Sequence, residues 1–318
     1  MFQWKRDQAH HFLRGSLHGH TTRSDGYRDL PETVEIYRGM GYDFYSVTDH
    51  RKYYRAPLEQ EGMILLPGIE CDGMIDGHSC HHIVGLGGGT LAHDAPLESR
   101  HTIYLEGGMA HDAPIASRRL PDNAAAQGLL DEIKSNGLLP LLAHPNWSRV
   151  THENMLALDG LWGIEVYNSC ADVNNLTGDS TTQWDVLLAA GRRLYCVAVD
   201  DQHRPEHFGR GWVMVHAAER TAQALLDSLA HGRFYASTGV DIKSLYTDGD
   251  KLVVETSPCK AIHMYSGKLT KYQPFVTSPN GSVTRAVFDI PPADARYIRV
   301  QATDGAGHFA WSQPLYLS

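Results

Sequence analysis

The sequence predicts an α/β fold followed by an all-β segment, and three patterns support this division. Short β-rich runs alternate with amphipathic helical stretches from residue 13 to about residue 203, as in repeated βα units. The β-rich runs carry His, Asp or Glu, most of them near the carboxyl end, and helical periodicity disappears near residue 239. We therefore expect a barrel or doubly wound sheet over residues 1–238 and a small β-sandwich domain over residues 239–318.

The alternating region contains runs that are dense in aliphatic residues, as buried parallel strands should be. These predicted strands read LRGSLHGH, FYSVTDH, MILLPGIE, HHIVGLG, LLPLLAHP, WGIEVYN and LYCVAVDDQH. Between them, PETVEIYRGMG, AAAQGLLDEIKSNG and TTQWDVLLAAG have helical spacing. Pro31 suits the start of the first of these helices, and Gly137 and Gly191 suit the ends of the other two.

An irregular insertion covers residues 87–121. It contains three consecutive glycines, several prolines and the repeat AHDAP at 92–96 and 110–114. This composition is too irregular for a βα unit and too long for a plain connector. We interpret the segment as a flap, and the repeat could also form a symmetric hairpin or bring His93 or His111 to a functional site.

The C-terminal segment alternates short strands with turns. Its predicted strands are KLVVET, AIHMYS, AVFDI, YIRVQAT and WSQPLYL. Asp248-Gly249 and Asn280-Gly281 are turn pairs typical of hairpins. This pattern predicts the small β-sandwich.

Charge and cysteine content narrow the class of protein. A formal net charge of -9 argues against a broad nucleic-acid-binding face, although a small nucleotide could still be a substrate. Five cysteines without a CxxC pair predict neither a disulfide framework nor a thiolate zinc site. With no apolar N-terminal leader and no long apolar run, we expect a cytoplasmic protein that does not enter a membrane.

Histidines and acidic residues at the ends of the predicted strands are the main functional signal. Residues two apart on a strand point to the same side, as in HxH at His18 and His20 and in DxH at Asp201 and His203. Because the carboxyl ends of barrel strands converge on one mouth, we expect distant residues to meet there. The nine candidate metal ligands are His18, His20, Asp25, His50, Glu70, His82, His144, Asp201 and His203.

Each candidate has an ordinary structural explanation when taken alone. A single buried His is more often a hydrogen-bonded core residue, and Asp in SDG or TDH could cap a helix. Together, nine such groups in one mouth would carry a large desolvation cost unless cations compensated them. The set therefore predicts a divalent metal centre. Mixed imidazole and carboxylate ligands suit zinc, manganese and iron alike.

The order of HxH, SDG, TDH, IE, a strand-initial His, AHP and DxH resembles the polymerase and histidinol phosphatase (PHP) superfamily of metallohydrolases over about residues 13–240. The resemblance implies a distorted (β/α)7 barrel similar to a TIM barrel. It also implies three metal positions. His18, His20, Glu70 and Asp201 would hold the first; Glu70, His82 and His144 the second; Asp25, His50 and His203 the third. His81 is the alternative to His82, because a shift of one residue would exchange them.

The resemblance implies hydrolysis at a centre of two or three divalent metals. We expect a phosphoesterase in which a hydroxide that bridges the metals attacks a small phosphomonoester or phosphodiester. FYASTG followed by a β segment ending in AWSQPLYL resembles a branch related to carbamate and ester hydrolases, so the same centre acting on a carbamate or carboxylic ester is the alternative. A non-catalytic metal-binding module is a third possibility.

Further residues near the predicted ligands are candidates for catalysis. Arg23 and Arg51 could hold phosphoryl oxygens, although both could equally be solvated loop residues. Asp49 could orient a ligand imidazole. Tyr167 could line the pocket, with Glu165 and Asn168 in support, and Trp147 could be a substrate wall or a packing residue.

Overall fold

The computed structural model describes residues 3–5, 12–74, 80–89, 93, 103–104, 118–119, 123–269, 273–280 and 282–317. The helices of these residues are α1 (Leu30–Gly39), α2 (Asn123–Ser135), α3 (His152–Leu156), α4 (Ser169–Asn175), α5 (Thr181–Ala189) and α6 (Ala222–Ala230), with short 3-10 helices at Pro205–His207 and Ala293–Ala295. The strands in the N-terminal part are β1 (Phe12–Ser16), β2 (Phe44–Ser46), β3 (Glu59–Gln60), β4 (Met63–Leu66), β5 (Gly68–Met74), β6 (Cys80–Leu86), β7 (Ile103–Tyr104), β8 (Arg118–Arg119), β9 (Leu139–Leu142), β10 (Gly163–Asn168) and β11 (Tyr195–Val199). The remaining strands are β12 (Trp212–His216), β13 (Phe234–Ser237), β14 (Ile242–Asp248), β15 (Lys251–Cys259), β16 (Ala261–Ser266), β17 (Phe275–Thr277), β18 (Val283–Asp289), β19 (Tyr297–Thr303), β20 (Phe309–Ser312) and β21 (Leu315–Tyr316).

The protein is a mixed α/β structure dominated by three sheets. The largest has the order β17-β16-β19-β20-β13-β12-β1-β2-β4-β3, with β21 paired to β19. The second has the order β11-β10-β9-β6-β5-β8-β7, and the third consists of β14, β15 and β18. The predicted strands and helices of the N-terminal part are confirmed as elements, within a fold that contains more sheet than the βα pattern indicates.

The predicted (β/α)7 barrel is not confirmed. Strands β1, β2 and β4 are parallel neighbours, as are β9, β10 and β11. Strand β6, however, is antiparallel to both β5 and β9. A regular barrel of βα units would need parallel pairing there, because each crossover returns the chain to the same end of the sheet.

Two isolated bridges bring the ends of the two large sheets together. Gly19 forms a parallel bridge with Gln202, and His50 forms one with Glu70. The Asp201 amide also donates to the His18 carbonyl over 3.1 Å. As a result, the segments that follow β1, β2 and β11 lie beside one another and beside β5.

The first helix shows how the sequence positions one of these segments. Asp29 caps α1 by accepting the Glu32 amide over 2.9 Å, and Pro31 lies in the first turn, as the sequence predicts. The helix buries Val34 and Tyr37 against the neighbouring strands. Tyr37 also donates its hydroxyl to Asp200 over 3.0 Å, so α1 is attached to the segment after β11.

The C-terminal strands continue the largest sheet. Strand β12 pairs with β1, β13 pairs with β12, and β20 pairs with β13, all antiparallel. The three-stranded sheet shares a buried core with β16, β19 and β20 that includes Val254, Ile262, Phe288 and Val300. The predicted boundary between residues 238 and 239 falls between β13 and β14, and the division into two domains stays a prediction.

Most of the predicted flap lies outside the described residues, including His111. His93 is described, and its Nδ1 accepts the Arg55 amide over 3.2 Å. Its ring also meets Tyr54 edge to face, with the two ring centroids 5.4 Å apart. The turn at Asp248-Gly249 connects β14 and β15 as predicted, and Gly281 of the second turn pair lies outside the described residues.

Candidate metal centre

The nine predicted ligands are brought together in one cluster. Within each of three overlapping groups, the potential ligand atoms all lie within 4.8 Å of one another. The groups are His18, His20, Glu70 and Asp201; Glu70, His82 and His144; and His20, Asp25, His50 and His203. Apart from the additional presence of His20 in the third group, this division matches the one that the sequence resemblance implies.

The ligand atoms of the first group are spaced as the ligands of one metal ion would be. His18 Nε2 and His20 Nε2 lie 3.2 Å apart. Their distances to Glu70 Oε2 are 3.2 and 3.1 Å, and their distances to Asp201 Oδ1 are 3.3 and 3.0 Å. A tetrahedral ion with bonds of about 2.0 to 2.1 Å would separate its ligand atoms by about 3.3 to 3.4 Å.

Glu70 connects the first group to the second. Its Oε2 faces His18 and His20, while its Oε1 lies 2.9 Å from His82 Nδ1 and 3.4 Å from His144 Nε2. The side chain of Glu70 is 1% exposed, so solvent does little to screen its charge. One carboxylate thus presents a separate oxygen to each of two imidazole sets.

Asp25 is the acidic member of the third group. Its Oδ1 lies 3.4 Å from His203 Nε2, and its Oδ2 lies 3.7 Å from His50 Nε2. Asp25 precedes Gly26, where a Cβ atom would lie 2.5 Å from the carbonyl carbon and oxygen of His20. Glycine is therefore required for this close approach, which sets the position of Asp25 beside the imidazoles.

His82 rather than His81 lies beside Glu70. The two side chains point to opposite faces of β6, as strand geometry requires. His81 is fully buried, and burial, with His82 nearby, lowers the pKa of its imidazole to about 4. His81 thus favours the neutral form inside the protein, away from the carboxylates of the cluster.

The donor set fits divalent metal ions. His18 donates Nδ1–H to Glu165 Oε1 over 2.6 Å, which leaves its Nε2 lone pair directed at the cluster. His203 donates Nδ1–H to the Asp201 carbonyl over 2.9 Å, which leaves its Nε2 facing Asp25. Lone pairs of imidazoles and carboxylates thus converge in a buried space, an arrangement that requires cations or protons between them.

The close packing of imidazoles and carboxylates also determines whether the pKa of each group is raised or lowered. Burial alone lowers the pKa of His18 and His20, but nearby carboxylates outweigh it and raise the pKa of His18 well above its ordinary value and that of His20 to about 10. Burial alone raises the pKa of Glu70 and Asp201, but the surrounding imidazoles lower both. Without metal, these imidazoles hold the protons that balance the carboxylates, and a bound metal ion would displace those protons.

Glu165 and Asn168 support the ligands from β10. Besides its bond with His18, Glu165 accepts the His144 amide and the Asn168 side-chain amide, each over 2.8 Å. Asn168 also donates to Asp201 Oδ2 over 3.0 Å. The register of β10 against β11 shifts between Glu165 and Tyr167. This irregularity lets Glu165 and Asn168, three residues apart, face the same cluster.

The predicted catalytic residues Asp49 and Arg23 form one network. The Asp49 carboxylate accepts the Thr21 amide and the Ser24 hydroxyl, each over 2.8 Å, and contacts Arg23 Nη1 at 3.3 Å. Ser24 Oγ in turn lies 3.4 Å from His20 Nδ1. Asp49 is therefore connected to the cluster indirectly, through Ser24 in the loop after His20.

Arg51 and Tyr167, the other predicted catalytic residues, have different surroundings. Arg51 has a positive φ of 56° and donates its amide to the Glu70 carbonyl over 2.8 Å, so its backbone is fixed next to the cluster. Tyr167 donates its hydroxyl to Asp172 over 3.1 Å. Asn168, and not Tyr167, makes the contact with Asp201, and a role for Tyr167 in the pocket stays a prediction.

Sequence reasoning did not single out Ser148, Cys170 or His207. Ser148 Oγ lies 2.9 Å from His144 Nδ1, four residues away in a turn, and therefore orients the ring of His144. Cys170 and His207 form a further group with His203. However, His207 Nδ1 accepts the His203 and Arg204 amides over 3.2 and 3.3 Å, so this atom is already used in shaping the loop.

Two of the wider expectations from the sequence are also addressed by the structure. Among the described residues, no helix combines the length and apolar character needed to cross a membrane. The described part of the chain includes all five cysteines, and no disulfide is formed in it.

No family model matches the chain, and no curated protein matches it. Among solved structures, a two-domain protein from Bacteroides vulgatus that contains a predicted PHP-like metal-dependent phosphoesterase aligns over 99% of this chain and 98% of its own, with 16% identity and a TM-score of 0.49. A putative metal-dependent phosphoesterase from Bifidobacterium adolescentis aligns over 60% and 89%, with 16% identity and a TM-score of 0.40. The lesion-specific endonuclease Q from Pyrococcus furiosus aligns over 70% and 56%, with 12% identity and a TM-score of 0.45.

Proposed function

We propose that the protein is a metal-dependent phosphoesterase that hydrolyses a small phosphomonoester or phosphodiester at a centre of two or three divalent ions. The observation that carries the proposal is the position of Glu70, whose two oxygens face separate imidazole sets at 2.9 to 3.4 Å. Zinc, manganese and iron all suit such ligands. Bound there, divalent ions would act as Lewis acids toward phosphoryl oxygens and lower the pKa of water.

The protein's own residues would fix the geometry of this chemistry. His18, held by Glu165 over 2.6 Å, would keep one orientation throughout turnover. Asn168 would hold Asp201 in the same way through its 3.0 Å bond. Because these supporting contacts are buried, the ligands would need little rearrangement when substrate binds.

Arg23 would contribute positive charge for the phosphoryl group. Its side chain is 22% exposed, and its guanidinium contacts Asp49 at 3.3 Å. That contact and the donation of Nη2 to the Tyr53 carbonyl over 3.5 Å orient the guanidinium, whose planar set of N–H donors suits phosphoryl oxygens. Arg51, whose backbone is fixed against Glu70, would be the second candidate for this role.

The proposal is tested by metal analysis and by three ester substrates. Purified protein should contain about two to three equivalents of divalent metal, the range predicted for this type of centre. With added manganese or zinc, it should hydrolyse p-nitrophenyl phosphate or bis-p-nitrophenyl phosphate faster than p-nitrophenyl acetate. Asp201→Ala should abolish turnover, while His231→Ala, which changes an exposed His beside Asp227, should keep it.

Two results would contradict the proposal in different ways. Hydrolysis of the acetate ester alone would replace the phosphoesterase with the carbamate or carboxylic ester hydrolase. Failure to bind divalent metal at all would remove the metal centre on which both activities depend.

A further inference from the structure

Trp147 keeps much of its indole exposed beside the proposed metal centre. The residue is 40% exposed. Its ring centroid lies 5.0 Å from that of His144 and 5.8 Å from that of His82, with interplanar angles of 84° and 70°. The indole therefore stands edge to face against both imidazoles of the second group.

The loop that carries Trp147 is held by contacts that do not involve the indole. The Ser148 amide donates to the His144 carbonyl over 3.0 Å, and the Val150 amide donates to the Pro145 carbonyl over 3.1 Å. The Asn146 side chain donates to the Asp179 carbonyl over 3.0 Å. The indole thus has a defined position although it is not buried in the core.

The other tryptophans behave differently. Trp4, Trp162, Trp184 and Trp311 are buried, and Trp212 is half-buried. An indole usually contributes to stability by removing its large apolar surface from water. Trp147 leaves that surface accessible next to two proposed metal ligands, where a bound substrate could cover it.

We propose that Trp147 is a specificity-determining residue that packs against a planar aromatic ring in the group esterified to the substrate phosphate. This inference rests on the proposed phosphoesterase function and adds the substrate class to it. A fixed indole contacts a second ring with little loss of side-chain freedom, and offset or edge-to-face contact between aromatic rings is favourable beyond the area it buries. Aryl and nucleoside phosphates are therefore preferred over alkyl phosphates of similar charge.

Two matched substrates and two matched ligands test this preference. Phenyl phosphate and methyl phosphate serve as substrates for metal-loaded wild type, Trp147→Ala and Trp147→Phe. Phenylphosphonate and methylphosphonate serve as non-hydrolysable ligands in calorimetry, which measures binding without turnover. Phe275→Ala is the matched control, because Phe275 is an exposed aromatic residue, 52% exposed, on β17.

Trp147→Ala should lower kcat/KM for phenyl phosphate about tenfold, mainly through KM, and should weaken phenylphosphonate binding by a similar factor. Methyl phosphate turnover, methylphosphonate binding and metal content should change less than about twofold. Trp147→Phe should restore most of the loss because it keeps a ring, and Phe275→Ala should match wild type.

An equal loss for phenyl and methyl compounds in Trp147→Ala would overturn the inference, as would no loss for either. Failure of wild type to hydrolyse phenyl phosphate, methyl phosphate and bis-p-nitrophenyl phosphate alike would instead contradict the proposed function, and this result is seen before any variant is compared.

Discussion

The metal centre and the C-terminal β region are both built from buried strands, but they bury opposite kinds of side chain. Around the centre, imidazoles and carboxylates such as His18, His20 and Glu70 are almost fully buried within about 3 Å of one another. The C-terminal core buries aliphatic and aromatic residues, including Val254 and Phe288. The first arrangement needs cations or protons to balance its charge, whereas the second is stabilised by removing apolar surface from water. The structure thus separates the residues of the candidate metal centre from residues that serve stability.

The largest loss of turnover and metal affinity should come from removing Glu70, the carboxylate shared by two ligand groups. Glu70→Ala should abolish turnover and lower metal affinity at the first two positions by at least about a thousandfold, because each loses a charged oxygen ligand. Metal titrations followed by thermal unfolding should then show little stabilisation from these two positions, at a concentration where wild type, at about a thousand times its dissociation constant, gains about 4 kcal/mol.

Glu255→Gln is the matched control. Glu255 lies on β15, outside the ligand groups, and its side chain contacts Ser244 and Arg285. The control variant should bind metal as wild type does. If Glu70→Ala still gained full stability from added metal, the role of Glu70 as a shared ligand would be wrong.

The next largest effect concerns a contact between the C-terminal β region and α5 of the N-terminal part. Arg299 on β19 is 1% exposed, forms two hydrogen bonds with Asp185 on α5 at 2.8 and 2.7 Å, and packs over the rings of Trp184 and Tyr265. Arg299→Met should lower the free energy of unfolding by about 2 kcal/mol, because Asp185 loses two hydrogen bonds from a charged partner but, being 35% exposed, keeps some contact with solvent. Chemical denaturation measures this change.

The double variant Arg299→Met/Asp185→Leu should recover much of that loss, since an apolar pair leaves no unmatched charge. Both variants should keep the turnover of wild type per folded molecule. A fall in metal content would show that this ion pair also shapes the centre.

The convergence of the ligands could be predicted from sequence because it depends on local rules. Side chains alternate along a strand, so His18 and His20 share a side, and parallel strands end at a common edge. These rules do not give the direction in which an apolar run pairs. HHIVGLG reads equally well as a parallel or an antiparallel strand, and β6 is antiparallel to both neighbours.

Other features depend on contacts between distant residues. Strand β12 was not predicted, yet its pairing with β1 joins the C-terminal strands to the largest sheet. The register shift after Glu165 brings Asn168, rather than Tyr167, into contact with Asp201. Neither feature has a local sequence signal, because β-bulges and sheet order are decided by which strands meet.

A smaller loss of metal affinity should come from changing Glu165, the residue that orients His18. Glu165→Gln keeps the size of the side chain but replaces the charged acceptor of the 2.6 Å bond. Metal affinity should fall about 10- to 100-fold, the usual range for loss of a carboxylate that supports a ligand imidazole. Competition with a coloured chelator measures this, and at saturating metal kcat should recover most of its wild-type value. A kcat that stays low at saturation would place Glu165 in the chemistry itself rather than in positioning.

The smallest expected change is in the free energy of unfolding of a variant in the C-terminal core. This variant tests whether that core serves stability alone. Ile262 on β16 is fully buried in that core, and Ile262→Val removes one methylene group. The free energy of unfolding should fall by about 1 kcal/mol, because transfer and cavity terms both scale with the lost volume. Metal affinity and kcat should stay within error of wild type, since the substitution changes no charge and no strand pairing. If metal affinity fell together with stability, the two regions would form one coupled unit, and the separation of the metal centre from residues that serve stability would be wrong.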